Sequence, residues 1–241
     1  MLAVLSVEIR KLNRSLAAVL ALAAPSLIAA FGFFMLLRGG QARPWAQWMQ
    51  MATGVWAYFM LPMSVTALTA LVAHMEHGPR AWDHLRALPT PRWRIYAAKA
   101  FCVIALVTAM TGLNLLLTWG AISAAATIKP AIAPTGALDW IGLLAVNLKV
   151  VAAAILLTAI QLWTALRFAS FVPALAIGIG GTFFSVVATA AKQGVFFPWQ
   201  MPVNMLAAEP WRAATALTLG AGVGTVVLLL AIAHLSRREV L

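Results

Sequence analysis

Six long apolar segments, each close to the length that crosses a lipid bilayer, dominate this chain of 241 residues. They lie at about residues 16–37, 51–73, 100–124, 148–166, 170–191 and 213–235. A membrane-crossing helix needs roughly 20 apolar residues, and it forms because hydrocarbon offers no other partners for backbone N–H and C=O groups. With 63% hydrophobic and only 10% charged residues, the composition is not that of a soluble domain. The sequence therefore predicts an all-α, polytopic membrane protein with six transmembrane helices, forming one domain over residues 1–241.

The basic residues predict how these helices are oriented. With the N-terminus in the cytoplasm, eleven of the 17 Lys and Arg residues fall on the inner side: Arg10, Lys11, Arg14, Arg80, Arg86, Arg92, Arg94, Lys99, Arg167, Arg237 and Arg238. Cytoplasmic loops of membrane proteins carry the excess of Lys and Arg, so we expect both termini in the cytoplasm. Membrane orientation also explains the net charge of +11, and nucleic acid is not a predicted partner.

Residues 3–15 form a candidate interfacial helix. Val4, Leu5, Ile9, Leu12 and Leu16 share one side of a helical wheel, and the other side carries Glu8, Arg10, Lys11, Asn13 and Arg14. A helix of this kind can lie on an anionic membrane surface with its basic residues toward the headgroups. A plain basic flank of the first span explains the same pattern.

The stretch between the second and third spans, residues 74–99, is rich in charged and aromatic residues. A short helix is predicted from Pro79 to Leu88, because proline suits a first helical position and Pro89 ends the pattern. Trp82 and Leu85 share an apolar ridge with Leu88. The polar residues Arg80, Asp83, His84 and Arg86 lie largely off that ridge. This helix is either a docking element for a cytosolic partner or an ordinary cytoplasmic loop whose arginines fix orientation.

The segment 192–212, between the last two predicted spans, is apolar but interrupted by three prolines. Pro198, Pro202 and Pro210 prevent a straight helix there. The aromatic residues Phe196, Phe197, Trp199 and Trp211 are typical of a membrane–water interface. The segment is interpreted either as a re-entrant hairpin or as a loop with an aromatic belt.

Several kinds of chemistry have no residues to support them. No G-x-x-x-x-G-K-[ST] motif occurs, so the chain is not expected to bind ATP phosphates itself. All six acids, Glu8, Glu76, Asp83, Asp139, Glu209 and Glu239, are placed in flanks or loops, which argues against an ion-coupled carrier. No histidine lies mid-span, which disfavours an intramembrane enzyme, and His74 with His77 is read as an interfacial cluster rather than a metal site.

Small and polar residues inside the spans predict helix contacts. Gly220 and Gly224 form a GxxxG pair in the last span, which is weak evidence for a dimer face. Asn114 and Gln161 are expected to hold helices together rather than to bind a substrate.

Three motifs in this chain resemble those of the ABC-2 type permeases, in particular the small permease subunits of lantibiotic and bacteriocin immunity exporters. The first is E-x-R-K-x-x-R-S, formed by Glu8, Arg10, Lys11, Arg14 and Ser15. The second is E-(x5)-W-(x2)-L-(x2)-L-P-(x2)-R, formed by Glu76, Trp82, Leu85, Leu88, Pro89 and Arg92 and followed by Lys99. The third is F-P-W-x-x-P, formed by Phe197, Pro198, Trp199 and Pro202.

The resemblance implies a function and a role for each motif. It implies a bacterial cytoplasmic-membrane exporter in which two permeases, identical or different, stand beside each other above two ABC ATPase subunits. ATP and Mg would be held by the ATPase, and no cofactor by this chain. Residues 79–88 would form the coupling helix, flanked by Glu76, Pro89, Arg92 and Lys99. Residues 8–14 would be the interfacial helix and residues 197–202 part of the re-entrant hairpin.

The cargo implied by the resemblance is a peptide antibiotic or another amphipathic, lipid-like molecule, in contact with membrane lipid. A second interpretation stays open. The chain could be the substrate-capture membrane subunit of a small-molecule importer, which also has six spans and would bind its ligand without an ATPase.

Overall fold

The computed structural model describes residues 2–13, 15–39, 41–77, 90–189 and 191–237. Regular structure in these ranges is helical, with one isolated β-bridge between Pro44 and Thr135. The predicted coupling helix from Pro79 to Leu88, together with Pro89 and Arg14, lies outside the described residues.

The helices follow one another along the chain with short connections. We number them α1 (Leu2–Leu12), α2 (Leu16–Gly39), α3 (Trp45–His77), α4 (Arg92–Ile128), α5 (Trp140–Arg167), α6 (Val172–Ala188), α7 (Met201–Asn204) and α8 (Pro210–Arg237). Short 3-10 turns at Pro130–Ile132 and Lys192–Phe196 lie in the connections that follow α4 and α6.

Five of these helices, α2, α3, α4, α5 and α8, are long and apolar enough to cross a membrane. Three of these helices begin before the predicted spans, α3 at Trp45, α4 at Arg92 and α5 at Trp140, and the limits of the membrane-crossing parts stay a prediction. Hydropathy marks only the part of a helix that suits hydrocarbon, whereas these helices continue through polar and aromatic residues suited to the interface. The apolar helix α6 has 17 residues and is shorter than the other five, so the sixth span over 170–191 stays a prediction.

A π-helical turn in α3 has a local cause in the sequence. Residues Trp56–Met60 form this turn directly before Pro62. Proline has no N–H to donate, and its ring clashes with the carbonyl four residues earlier, which here is that of Tyr58. The wider turn brings Trp56 fully into the interior, where its indole N–H donates to Thr111 Oγ1 at 3.0 Å.

The GxxxG pair of α8 makes contacts within the chain, so its interpretation as a dimer face was wrong. A side chain at Gly220 would overlap the backbone of Ala153, and one at Gly224 would overlap the backbone of Leu156. The α5 helix is interrupted at Ala154, between these two contacts, and α8 forms a π-helical turn over Thr218–Val223 at the same level. Glycine is required here because the two backbones touch.

The most buried of the five long helices is α3, and it packs against α5 and α6 as well as α2 and α4. Gly178 of α6 allows this close approach, since any side chain there would overlap Thr66 of α3. The buried amide of Gln161, on α5, can donate to the Ala174 carbonyl and accept from the Gly178 N–H, at 3.1 and 3.0 Å. This contact agrees with the prediction that Gln161 holds helices together.

Candidate functional site

Four charged side chains from three helices meet at one end of the bundle. Glu8 and Lys11 come from α1, Glu76 from the last turn of α3, and Lys99 from the second turn of α4. The sequence places these four residues in two separate motifs, and the structure brings them into direct contact. We call them the charge cluster.

The orientation of α1 explains how its two residues reach the cluster. Glu8 and Lys11 are three residues apart and therefore lie on the same face of the helix. That face turns toward α4, and Glu8 is buried. The prediction that the polar side of α1 turns toward the headgroups was therefore wrong for Glu8 and Lys11, which contact α3 and α4 instead. The ion pairs with α3 and α4 determine which side of α1 packs against the bundle. The spacing of apolar residues along α1 gives no information about these ion pairs.

The contacts form a closed set of short, charge-assisted hydrogen bonds. Lys99 Nζ donates to Glu8 Oε2 and to Glu76 Oε1, each at 2.7 Å. Lys11 Nζ donates to Glu76 Oε1 at 2.7 Å and to Glu8 Oε1 at 3.0 Å. Each lysine bridges both carboxylates, so α1, α3 and α4 are held together at this point.

The charge cluster is neutral as a whole and almost closed to solvent. The side chain of Lys99 is 1% exposed, Glu76 2% and Glu8 7%, while Lys11 remains 30% exposed. Burial by itself lowers the pKa of Lys11, but hydrogen bonds and charge from Glu76 and Glu8 outweigh it and raise that pKa above its ordinary value. Two ammonium and two carboxylate groups compensate one another, which is the condition under which buried charges are tolerated.

Glu76 lies in the last turn of α3, beyond the predicted end of the second span, and is 1% exposed. Its charge can remain buried because two lysines bind one of its oxygen atoms. The sequence gives little indication that Glu76 and Lys99 form an ion pair. Only their positions on either side of the 78–89 segment suggest that they are neighbours.

The remaining predicted residues near the charge cluster are more exposed. Arg10 lies on the outer face of α1, and Arg92 is the exposed first residue of α4. His74 and His77 are in the last turns of α3, close to Ala165 and Phe168. In the described part of the chain, no group of three His, Cys, Asp or Glu side chains is arranged to hold a metal ion.

The proline-interrupted segment between α6 and α8 folds into the opposite end of the bundle. Trp199 is 5% exposed and lies directly on Gly181 of α6, with Phe197 stacked on it at a centroid distance of 5.2 Å. Pro198 is half-buried, and Pro202 is buried in the first turn of α7.

Polar side chains fix this segment in place. Gln200 donates to Thr189 Oγ1 at 2.7 Å and also to the Ser185 carbonyl. Arg212 donates to Asn204 Oδ1 at 3.0 Å, which joins the start of α8 to α7. The segment is therefore packed against α6, and its interpretation as a membrane re-entrant hairpin stays a prediction.

These features define a class of protein. It is a multi-pass helical membrane protein in which a neutral charge cluster lies next to the segment that joins α3 to α4. The sequence profile of the ABC-2 family transporter proteins matches residues 4–188. The chain belongs to this family of membrane components of ABC transporters, and this membership implies partnership with an ABC ATPase component. No significant match was found among curated proteins or among solved structures.

Proposed function

We propose that this chain is the permease subunit of an ATP-driven exporter, energised through residues 79–88. Both termini lie in the cytoplasm, α6 is the sixth span, and the segment 192–212 is a re-entrant hairpin on the outer side. The cargo is a peptide antibiotic or another amphipathic, lipid-like molecule, as in permeases that give immunity to lantibiotics. ATP and Mg are bound by the partner ATPase.

The charge cluster is the observation that carries this proposal. The 78–89 segment begins two residues after Glu76 and ends ten residues before Lys99. Because Glu76 and Lys99 are joined at 2.7 Å, the two ends of this segment cannot move independently. Glu8 adds α1 to the same unit. A displacement of residues 79–88 by an ATPase would therefore move α1, α3 and α4 together.

The mechanism follows from this link. Closure of the ATPase dimer on ATP moves the docked residues 79–88, and the charge cluster passes that movement to the long helices α3 and α4. Two permeases side by side then alternate between an arrangement that accepts cargo and one that releases it. The apolar exteriors of α2, α6 and α8 suit a cargo that enters sideways from the lipid.

The family membership favours this function over the substrate-capture subunit of an importer. The test is to purify the chain alone and together with a tagged cognate ATPase. We expect no ATP hydrolysis by the lone chain, and a complex that hydrolyses ATP and has the mass of two permeases and two ATPases. Tight binding of a small ligand by the lone chain, with no recruitment of the ATPase, would favour the capture subunit instead.

A further inference from the structure

A cavity of about 420 Å³ lies between α2, α3 and α4 at the end of the bundle opposite the charge cluster. Its walls come from the second half of α2, the first half of α3 and the last third of α4, and nearly all of its lining is apolar. This volume falls within the roughly 300–1,000 Å³ that is typical of sites for small ligands.

The cavity opens on the side of the bundle that faces lipid. Leu27, Phe31, Met35 and Met51 line the cavity and are also exposed on the outer surface of the helices, at 60%, 66%, 54% and 49%. An occupant therefore enters from the bilayer, and it contacts mainly apolar side chains of the protein.

Two polar atoms on the lining residues have no partner. The indole Nε1 of Trp48 and the hydroxyl Oγ1 of Thr118 are buried, and neither makes a hydrogen bond to any described residue. Both atoms have almost no accessible surface, and the lining of the cavity is nearly free of polar atoms. An occupant of the cavity therefore contacts the hydrocarbon parts of these two side chains.

A basic side chain stands beside the cavity. The guanidinium of Arg43 lies 5.3 Å from the ring centre of Trp48, and its Nη1 is 3.8 Å from the sulfur of Met51. Both of these neighbours line the cavity. None of the described carboxylates is within 4.0 Å of Arg43, so its charge has no counter-ion from the described part of the chain.

We propose that this cavity is a binding site for one anionic phospholipid. An acyl chain fills the apolar cavity, and the phosphate lies beside Arg43. The hydrocarbon walls match the acyl chain, and the cation without a counter-ion matches the phosphate. The site concerns a resident lipid, so it does not depend on the direction of transport or on coupling to an ATPase.

Gly32 provides a test that fills the cavity without disturbing the protein. It lines the cavity, and a Cβ atom there would meet no other atom within 4 Å. Gly112 of α4 is equally unobstructed but does not line the cavity, so Gly112→Leu is the matched control for Gly32→Leu. The purified chain is reconstituted in phosphatidylcholine vesicles containing phosphatidylglycerol with a photoactivatable acyl chain. Cross-linked peptides are then mapped by mass spectrometry.

We expect labelling concentrated on residues 27–36 and 48–55, reduced about tenfold by Gly32→Leu and unchanged by Gly112→Leu. Arg43→Gln should remove the preference for phosphatidylglycerol over an equally photoactivatable phosphatidylcholine.

Two results would overturn the proposal. One is labelling spread evenly over the exposed helices and insensitive to Gly32→Leu. The other is that Gly32→Leu reduces labelling by an amphipathic photoactivatable peptide but does not change labelling by phosphatidylglycerol. That result would assign the cavity to a peptide.

Discussion

Replacing Lys99 by methionine is expected to lower the free energy of unfolding by about 3–5 kcal/mol, the usual cost of removing one partner from a buried ion pair. Methionine preserves most of the side-chain volume but leaves Glu8 and Glu76 with only Lys11 between them. The charge cluster would then carry a net negative charge in a nearly closed site. Thermal unfolding of the purified protein in detergent measures the effect.

A second variant separates charge balance from the loss of contacts. Glu8→Gln combined with Lys99→Met leaves one buried carboxylate, Glu76, paired with Lys11. We expect this double variant to be more stable than Lys99→Met alone, which is a non-additive result. Lys149→Met is the matched control, because Lys149 is exposed on α5 and makes no ion pair with the described residues. A double variant no more stable than Lys99→Met would show that the charge balance does not hold the cluster together.

Trp82→Ala together with Leu85→Ala is expected to reduce the ATP hydrolysis stimulated by the permease to the level of the ATPase alone. These residues form the apolar ridge of the predicted coupling helix, and tryptophan is among the residue types that most often dominate the binding energy of an interface. The assay is ATP turnover by the reconstituted complex, with and without cargo-containing lipid.

The control for this variant is Trp211→Ala. Trp211 is a tryptophan that is 47% exposed, and it lies at the start of α8, away from the charge cluster. Trp211→Ala should leave stimulated hydrolysis unchanged. If the Trp82→Ala and Leu85→Ala variant keeps full stimulation while remaining folded, residues 79–88 are not the docking element.

Hydropathy was sufficient to predict an all-helical membrane protein, because the requirement to satisfy backbone hydrogen bonds in lipid leaves few other solutions. It could not give the helix ends. Trp45, Arg92 and Trp140 begin their helices in residues that hydropathy counts as loop, since an interface tolerates both polar and apolar side chains.

The charge cluster was predicted as separate residues but not as a site. Glu76 and Lys99 are 23 positions apart, and Glu8 and Lys99 are 91 positions apart. No helical period connects such distances, so only the packing of α1 and α3 on α4 brings them together.

The GxxxG pair shows a limit of short motifs. Gly220 and Gly224 do allow a close helix contact, as the motif predicts. The motif does not state the partner, and here the partner is α5 of the same chain. The orphaned donors of Trp48 and Thr118 were also invisible in the sequence, because their burial depends on how α2, α3 and α4 surround the cavity.

The most direct test of the account is the side of the membrane on which residues 79–88 lie. His84→Cys introduces a thiol off the apolar ridge, and the native Cys102 is buried, so a membrane-impermeant thiol reagent should report on position 84. The account predicts labelling in inverted membrane vesicles and none in intact cells. Labelling in intact cells would place the segment where no ATPase can reach it, and would contradict the proposed coupling.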